Sequence, residues 1–569
     1  MEQARLFMAI ALSIIVFIVW DHFFVPKQPA SQAPPSTQET VNTNPSNKPI
    51  LTHSENGIND PASAERESIV TDQLNPIVEK EPRTITISTP AYHIKISERG
   101  AVITSFTLND YFETKKSHIN KEVISSAVSG GTLRSDMLNN SIPGLDNALF
   151  ETDAKTDSII VEKDTVSVSF RWHNPNGFSI AKTFNFKPEG YIFTYSVNIV
   201  NNSNATLDDS LEISFVDAFP ENGGYAFEGP CALIDNHLEE VKAKKIKTKN
   251  IYTGELEWIA VQDRYFMSSI IPEMKQDLSM HLNLNQSTRI SGSNISETYN
   301  IIDTRLVQMI GAISPGNQKT LSYDIYMGPK SVRILKGSGY RLDKAVNFGW
   351  FDFLAKPCLW LMNVFYDFIP NYGLAIIFLT ILIKILFWPL GTKAYKSMNE
   401  MKKLQPLMAE INEKYKSDPQ KKNQEVMALY KTYKVNPLGG CLPMLVQMPI
   451  FLALYKMLYS AIELRHAPFF GWITDLSAPD RLFNFGVVIP FFEPPTGIPV
   501  LTLIMGASMF IQQKMSPPAG DPSQAKMMMM MPLFMTVIFI NFSSGLVLYW
   551  LINNILSIAQ QYYITKNNN

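Results

Sequence analysis

Cysteine is scarce: Cys231, Cys358 and Cys441 are the three in 569 residues, too far apart for a disulfide framework or a zinc site. No G-x-x-x-x-G-K-[ST] occurs, which excludes nucleotide hydrolysis of the P-loop kind, and no H-E-x-x-H occurs, which excludes a zincin centre. The eight histidines (22, 53, 93, 118, 173, 237, 281 and 466) are scattered. Charge of one sign is missing too: a formal net charge of −2 predicts no strong field and argues against nucleic acid as a main partner, so no specific DNA binding is expected. There is no internal repeat. No cofactor is implied.

Apolar residues are plentiful but unevenly spread. Leu6–Val25 is a run broken only by Asp21 and His22, with no small-x-small cleavage site at its end. Residues 1–25 therefore read as an uncleaved signal-anchor transmembrane helix rather than a removable signal peptide. Residues 26–82, rich in Pro, Ser, Thr, Asn and Gln, read as a disordered linker.

From 83 to 340 the period is two. Val166, Val168, Phe170 and Trp172 alternate, "NPNG" turns the chain, and Phe178, Ile180, Phe184 and Phe186 alternate back. Tyr191, Phe193, Tyr195, Val197 and Ile199 repeat the pattern, as do Leu321, Tyr323, Ile325 and Met327. The expectation is a large antiparallel β-sandwich of about 250 residues. Its lysine run (Lys242, Lys244, Lys245, Lys247, Lys249) reads as a solvated loop.

After 340 the period becomes helical. Residues 341–371, with Trp350 and Trp360, read as an interfacial amphipathic helix. Spanning candidates follow at Tyr372–Leu390, Leu442–Ile462, Ile498–Lys514, Met527–Phe542 and Gly545–Tyr563. With the anchor that makes six transmembrane helices, five of them in a core over 372–565. Residues 392–440 hold ten lysines against five acids, while 464–497 has only Arg465 and Arg481 as basic residues. The lysine-rich side is therefore cytoplasmic, which puts both termini inside and the β domain outside. The fold class expected is a multi-pass α-helical membrane protein with a large periplasmic β-sandwich.

Within the cytoplasmic segment, 392–436 reads as a helical hairpin with an apolar seam (Met401, Leu404, Met408, Ile411, Tyr415, then Val426, Met427, Tyr430, Tyr433), broken at Asp418-Pro419. Its lysines, among them Lys402, Lys403, Lys414, Lys416, Lys421 and Lys422, either sit in water or form a docking surface for anionic lipid or ribosomal RNA.

The five core spans contain no Asp or Glu, which removes the usual equipment of a proton- or sodium-coupled carrier. They do contain Lys384, and a lysine at a helix centre costs roughly 2.5–3.5 kcal/mol on insertion scales. Lys384 lies six residues before Leu390 and Gln447 six after Cys441, so both are expected about 9 Å inside the cytoplasmic boundary. Thr380 stands one turn above Lys384, and Asn553, Ser557, Gln560 and Gln561 share a face of the last span. Alone, Lys384 could snorkel, as Lys456 is expected to, and Gln447 could be helix–helix glue. Their common depth favours a wet recess closed on the outside.

"YKVNPLGGCLPMLVQMPIFLALYKML", "DLSAPD", "QKMSP" and "SSGLVLYWLINNILSIAQQ" closely resemble the YidC family of membrane-protein insertases. The resemblance implies five core helices around a groove holding one positive residue, and a β domain similar to the supersandwich of sugar mutarotases. It places the groove cation on Lys384, where lysine stands for the usual arginine, and the groove glutamine on Gln447. It places substrate-sliding positions on Thr380, Met448, Pro449, Phe451, Tyr549 and Trp550, with Asn553 and Asn554 in the same groove. The ending "ITKNNN" lacks the long basic tail of some relatives, so ribosome binding through a tail is not expected. "LFNFGVVIPFFEPPTGIP" reads as an interfacial outer loop. The implied function is a non-enzymatic insertase of the bacterial inner membrane. It would take nascent membrane proteins into the groove and release them sideways into lipid, alone or with the Sec translocon, with ribosomes or targeting factors docking on the hairpin. The rivals are a small-solute carrier or channel, and a membrane-anchored periplasmic sugar-binding or sugar-modifying enzyme drawing on His93, His173 and His281.

Overall fold

The computed structural model describes residues 81–115, 118–221, 226–290, 296–433, 435, 442–487, 489, 492, 495–515 and 522–567. The anchor expected at 1–25 and nearly all of the linker expected at 26–82 lie outside the described residues.

Alternation becomes sheet where it was read. The strands Val166–Asn174 and Phe178–Phe186 pair antiparallel, Val168 opposite Phe184, and every second residue from Phe178 to Phe186 is buried. Gly177, at φ 90, closes the turn by donating its N–H to Asn174 O at 3.0 Å. An added Cβ there would lie 3.0 Å from the Ser203 backbone, so the turn needs glycine for space as well as for φ. These strands belong to a nine-stranded sheet, one of three sheets, the others having five strands each. The named strand pairs are antiparallel except one: Ser158–Ile160 runs parallel to Thr84–Ser88. That strand reaches its partner across a long connection, the one way a parallel pair can form.

The nine-stranded sheet faces both smaller ones. Tyr195 Oη shares a hydrogen bond with Ser135 Oγ at 3.1 Å, and Tyr323 Oη donates to Gln308 Oε1 at 2.6 Å, both toward the sheet that holds His281. On the same face of the sheet the fully buried Lys182 donates to Gly100 O at 2.7 Å, beside the smaller sheet that begins at Thr84. Phe184, Phe186, Phe193 and Tyr195 fill the layer between, with no exposure.

Ten helices are seen among the described residues: α1 (Ala243–Ile246), α2 (Val332–Ser338), α3 (Asp352–Phe368), α4 (Tyr372–Lys403), α5 (Gln405–Lys414), α6 (Pro419–Thr432), α7 (Leu442–Ser460), α8 (Val500–Met515), α9 (Pro522–Phe539) and α10 (Ser544–Asn567). The segment 341–371 is not one helix. Two 3-10 turns, Leu342–Ala345 and Gly349–Phe351, precede α3, because Arg341 and Gly349 take left-handed φ values of 57 and 68 that an α-helix cannot contain. Nor does a helix end at Leu390: α4 continues through Pro389 and Gly391 to Lys403. It stops at Leu404, because Pro406, in the first turn of α5, has no N–H with which to carry the hydrogen-bond ladder of α4 onward. The arms that pack as a hairpin are α5 and α6, joined across their seam by Tyr430 Oη and Met408 Sδ at 3.4 Å.

Among the described residues one helix, α4, is long and apolar enough to cross a membrane by length and composition, and Met528–Phe539 is a shorter apolar stretch. The other core spans expected do not meet that measure among the described residues.

Strands and helices are bolted together. Arg264 donates from Nε to Tyr459 O at 2.7 Å, at the end of α7, and its guanidinium lies 3.7 Å from the Tyr459 ring centroid. Lys115 Nζ reaches Thr474 O at 2.6 Å, Arg465 reaches Phe112 O at 2.5 Å, and Ser331 donates to Glu463 at 3.0 Å. The first of these bonds lets a charged donor cap a carbonyl in the last turn of α7.

Candidate functional site

The last helix carries a polar face because Asn553, Asn554, Ser557, Gln560 and Gln561 recur at three- and four-residue spacing. α10 packs between α4 and α8, with α7 also in contact, and the polar face is used up by those neighbours. Asn554 Nδ2 donates to Ser508 Oγ at 3.1 Å and Gln561 Nε2 to Met515 O at 2.9 Å, both on α8. On the other side Gln560 Nε2 donates to Trp388 O at 3.0 Å, close beneath Gly391. A Cβ at Gly391 would stand 2.9 Å from that amide, so glycine is what admits the glutamine. Gln560 Oε1 and Gln561 Oε1 have no donor among the described residues, which leaves acceptors in the seam unused.

Lys384 is half-buried and joins this seam. Its Nζ donates to Ser557 Oγ at 2.7 Å, and Ser557 Oγ in turn donates to Asn553 O at 2.7 Å. Tyr395 shares hydrogen bonds with Ser557 and with Gln512 of α8. An ammonium has three N–H donors, and among the described residues Ser557 is the one acceptor it meets. No carboxylate forms an ion pair with it there. A charge so placed is under-satisfied by its own protein, and the remaining donors are open to water or to an incoming polar group.

Gln447 meets α10 elsewhere, at the Tyr549 hydroxyl. Tyr549 and Ser557 are eight residues apart, about 12 Å along a helix, so the lysine and the glutamine do not engage α10 at one level. Equal distance from the span ends missed this because α4 does not end at Leu390 and because a lysine side chain reaches along its helix. Phe451 stands edge-to-face on Trp550, centroids 4.6 Å apart, and Trp550 also meets Phe539 of α9 at 5.0 Å. Met448 and Pro449 are exposed, and Asn553 is half-exposed. Thr380, Tyr549 and Asn554 are buried: Thr380 bonds Ile376 O at 2.6 Å within its own helix, and a substrate could touch these three only if helices parted.

Lys402 and Lys403 lie in the last turn of α4, Lys414 in that of α5, Lys416 in the break, and Lys421 and Lys422 in the first turn of α6. All but the half-buried Lys422 are exposed, and Lys414 and Lys421 flank the Tyr415 ring at 5.6 and 5.5 Å. His93, His173 and His281 stand in three different sheets, each beside a serine hydroxyl, and form no cleft together.

The family described as "60Kd inner membrane protein" matches residues 364–569, and that described as "YidC periplasmic domain" matches 84–361. The membrane protein insertase YidC of Syntrophus aciditrophicus (strain SB) is 37% identical over 98% of this chain and 98% of its own length. That of Syntrophobacter fumaroxidans is also 37% identical, over 99% of this chain and all of its own. The chain belongs to the YidC family of membrane protein insertases. Among solved structures, an active YidC insertase with its first transmembrane domain resolved is 20% identical over 84% of this chain and 92% of that chain, at TM-score 0.37. A galactose mutarotase related enzyme from Lactobacillus acidophilus covers 43% of this chain and 97% of its own at 14% identity and TM-score 0.29.

Within this YidC-family chain the sequence did not reveal a clasp in the motif "DLSAPD". Asp480 is 2% exposed and accepts from the Leu501 and Thr502 N–H groups and Trp472 Nε1, so it caps α8. Burial raises its carboxyl above the ordinary value while those three donors oppose the rise. The next residue, Arg481, donates to Ile540 O at 2.7 Å and Asn541 Oδ1 at 3.0 Å, just past the end of α9. Two adjacent opposite charges thus hold two helix ends of opposite polarity. An acid-base pair beside two apolar runs was the available signal.

Proposed function

We propose that this chain inserts membrane proteins, using Lys384 as the attractive charge of a wet recess between α4, α7 and α10. One observation carries the reading: a half-buried ammonium given one hydroxyl acceptor by the described residues, on helices whose outer faces are apolar. The charge draws a polar or acidic segment of a nascent protein partway in. The hydrophobic helix of that protein then moves sideways into lipid, and its transfer out of water supplies the driving force, about 25 cal/mol per Å² of apolar surface. No bond is made or broken in the substrate, and no cofactor takes part.

The finer topology belongs to the same proposal. Six spans cross the inner membrane with both termini cytoplasmic, the β domain lies in the periplasm, and α5, α6 and their lysines face the cytoplasm, where ribosomes, targeting factors or anionic lipids dock. The Sec translocon is a partner for some substrates. The sugar-enzyme reading loses its support, since its three histidines lie apart, and the carrier reading has no intramembrane carboxylate to build on. Depletion of the protein followed by quantitative membrane proteomics tests the proposal. Small membrane proteins with short external loops should fall severalfold; an unchanged membrane proteome would overturn the reading.

A further inference from the structure

Insertion makes no use of the run Lys242, Lys244, Lys245, Lys247 and Lys249, five positive charges in eight residues of the β domain. Val241 and Ile246 are buried and pin the turn containing α1, while the five lysines are exposed. No ion pair between described residues neutralises any of them. Lys249 Nζ instead lies 4.3 Å from the Tyr252 ring centroid, and no Asp or Glu occurs from Val241 to Tyr252.

The place of this run matters as much as its charge. Glu240, just before it, accepts from Asn347 Nδ2 at 3.2 Å. Two residues further on, the turn Gly349–Phe351 packs against α7, and Lys456 near the end of α7 is within electrostatic reach of both Lys242 and Glu240. Trp350 in that turn and Phe353 in the first turn of α3 project with 91% and 71% of their surface exposed. Clustered lysines, two uncovered aromatic rings and the end of an apolar helix are therefore linked through Glu240, Asn347 and Lys456. Aromatic rings of this kind settle where hydrocarbon gives way to headgroups, and lysines beside them meet phosphate.

We propose that the Lys242–Lys249 turn is a docking surface for the headgroups of anionic phospholipids in the leaflet facing the β domain. It rests on the membrane placement of α7 but not on the role of Lys384. The turn holds the β domain against the bilayer and gathers acidic lipid beside α3 and α7. The attraction acts within a Debye length, about 8 Å at physiological salt and about 3 Å at 1 M, so it is salt-sensitive.

The test uses the full chain in vesicles of phosphatidylcholine, alone or with phosphatidylglycerol, and an amine-acetylating reagent read out lysine by lysine by mass spectrometry. Phosphatidylglycerol should slow labelling of Lys244, Lys245 and Lys247 at least fivefold, leave the exposed Lys155 and Lys163 unchanged, and lose its effect in 1 M salt. Equal rates in both vesicles would overturn the proposal. Protection by an added acidic peptide in phosphatidylcholine, with none from phosphatidylglycerol, would also overturn it by making the partner a polypeptide. As a second arm, the triple variant Lys244→Gln, Lys245→Gln, Lys247→Gln should retain severalfold less co-purified phosphatidylglycerol than the parent while inserting substrate normally; unchanged retention would count against the site. Alkaline extraction of the parent from membranes checks the membrane placement separately.

Discussion

The strand-built and helical parts of this chain bury opposite things. In the sheets the fully buried side chains include Phe184, Phe186, Phe193, Tyr195 and Trp258, and along strands such as Phe178–Phe186 polar residues alternate outward. In the helices Ile385, Leu386 and Phe534 are 62%, 72% and 61% exposed, while Asn554, Ser557, Gln560 and Gln561 are nearly or wholly buried. Both parts follow one rule, that a chain hides what its surroundings will not solvate. On the proposed topology the surroundings differ: water for the sheets, hydrocarbon for the faces of α4, α9 and α10 that carry these exposed apolar residues. The exceptions to each pattern are then informative, and among the described residues two lysines stand out, Lys182 in the sandwich and Lys384 in the helical seam.

The hardest blow to this contrast falls on Lys384. If it merely snorkels, Lys384→Leu is harmless, because a costly charge leaves the apolar region. If it recruits substrate, Lys384→Leu and Lys384→Glu should each cut insertion of a substrate with an acidic tail by more than tenfold, while Lys384→Arg retains it. The attraction available is at most about 4 kcal/mol at 4 Å and an effective dielectric near 20. That suffices for one short acidic tail and not for a heavily charged one. Insertion in vivo of substrates with zero, one or three acidic residues makes the measurement, and equal insertion by all four proteins would return Lys384 to an inert role.

A smaller loss should follow from the clasp. Asp480→Ala removes three bonds to a buried carboxylate and uncaps α8, a cost of about 1–3 kcal/mol. Thermal unfolding of the detergent-purified protein should fall by several degrees, with insertion reduced in proportion to the protein that remains folded. Smaller still is the effect of replacing Lys402, Lys403, Lys414, Lys416, Lys421 and Lys422 by glutamine. Insertion should drop severalfold, ribosome or anionic-vesicle binding should lose its salt dependence, and α5 and α6 should stay helical, since their seam is apolar. Unchanged binding would leave those lysines as a solvated face.

The strands were legible because period-two alternation and an Asn-Gly turn are local signals, and the register Val168–Phe184 follows from them. So was the polar face of α10, since its spacing is written in one helix. What escaped reading was everything set by a partner far away in sequence. Tyr395 and Gln512 join the lysine only because α4 and α8 both pack on α10. The Asp480–Arg481 clasp depends on helix ends at 500 and 539 that no local pattern brings together. Helix boundaries failed where continuity depended on the proline of the next helix: Pro389 bends no chain break into α4, whereas Pro406 ends it.

The lysine of the sandwich gives the last and functionally mildest prediction. Lys182 has no exposed surface, one carbonyl acceptor in Gly100 O and the Phe150 ring 4.7 Å from its Nζ. Burial lowers its pKa from 10.5 to about 7, and Asp136 and Asp146 only partly oppose that. Unfolded, the same lysine holds its proton to about pH 10. Between about pH 7 and pH 10 the unfolded chain therefore carries a proton that the folded one has lost, so stability rises with pH across that window and is flat in this contribution below it. The full swing is bounded by about 5 kcal/mol, at roughly 1.4 kcal/mol per pKa unit. Lys182→Met keeps the length of the side chain and removes the titration, so its thermal midpoint should exceed the parent's at pH 7 and the two should converge toward pH 10. Insertion should be unaffected in either protein. A parent whose midpoint does not rise between pH 7 and pH 9, measured beside the methionine variant, would mean that the ammonium finds solvation inside the sandwich after all. The contrast between a dry domain and a wet seam would then be one of degree.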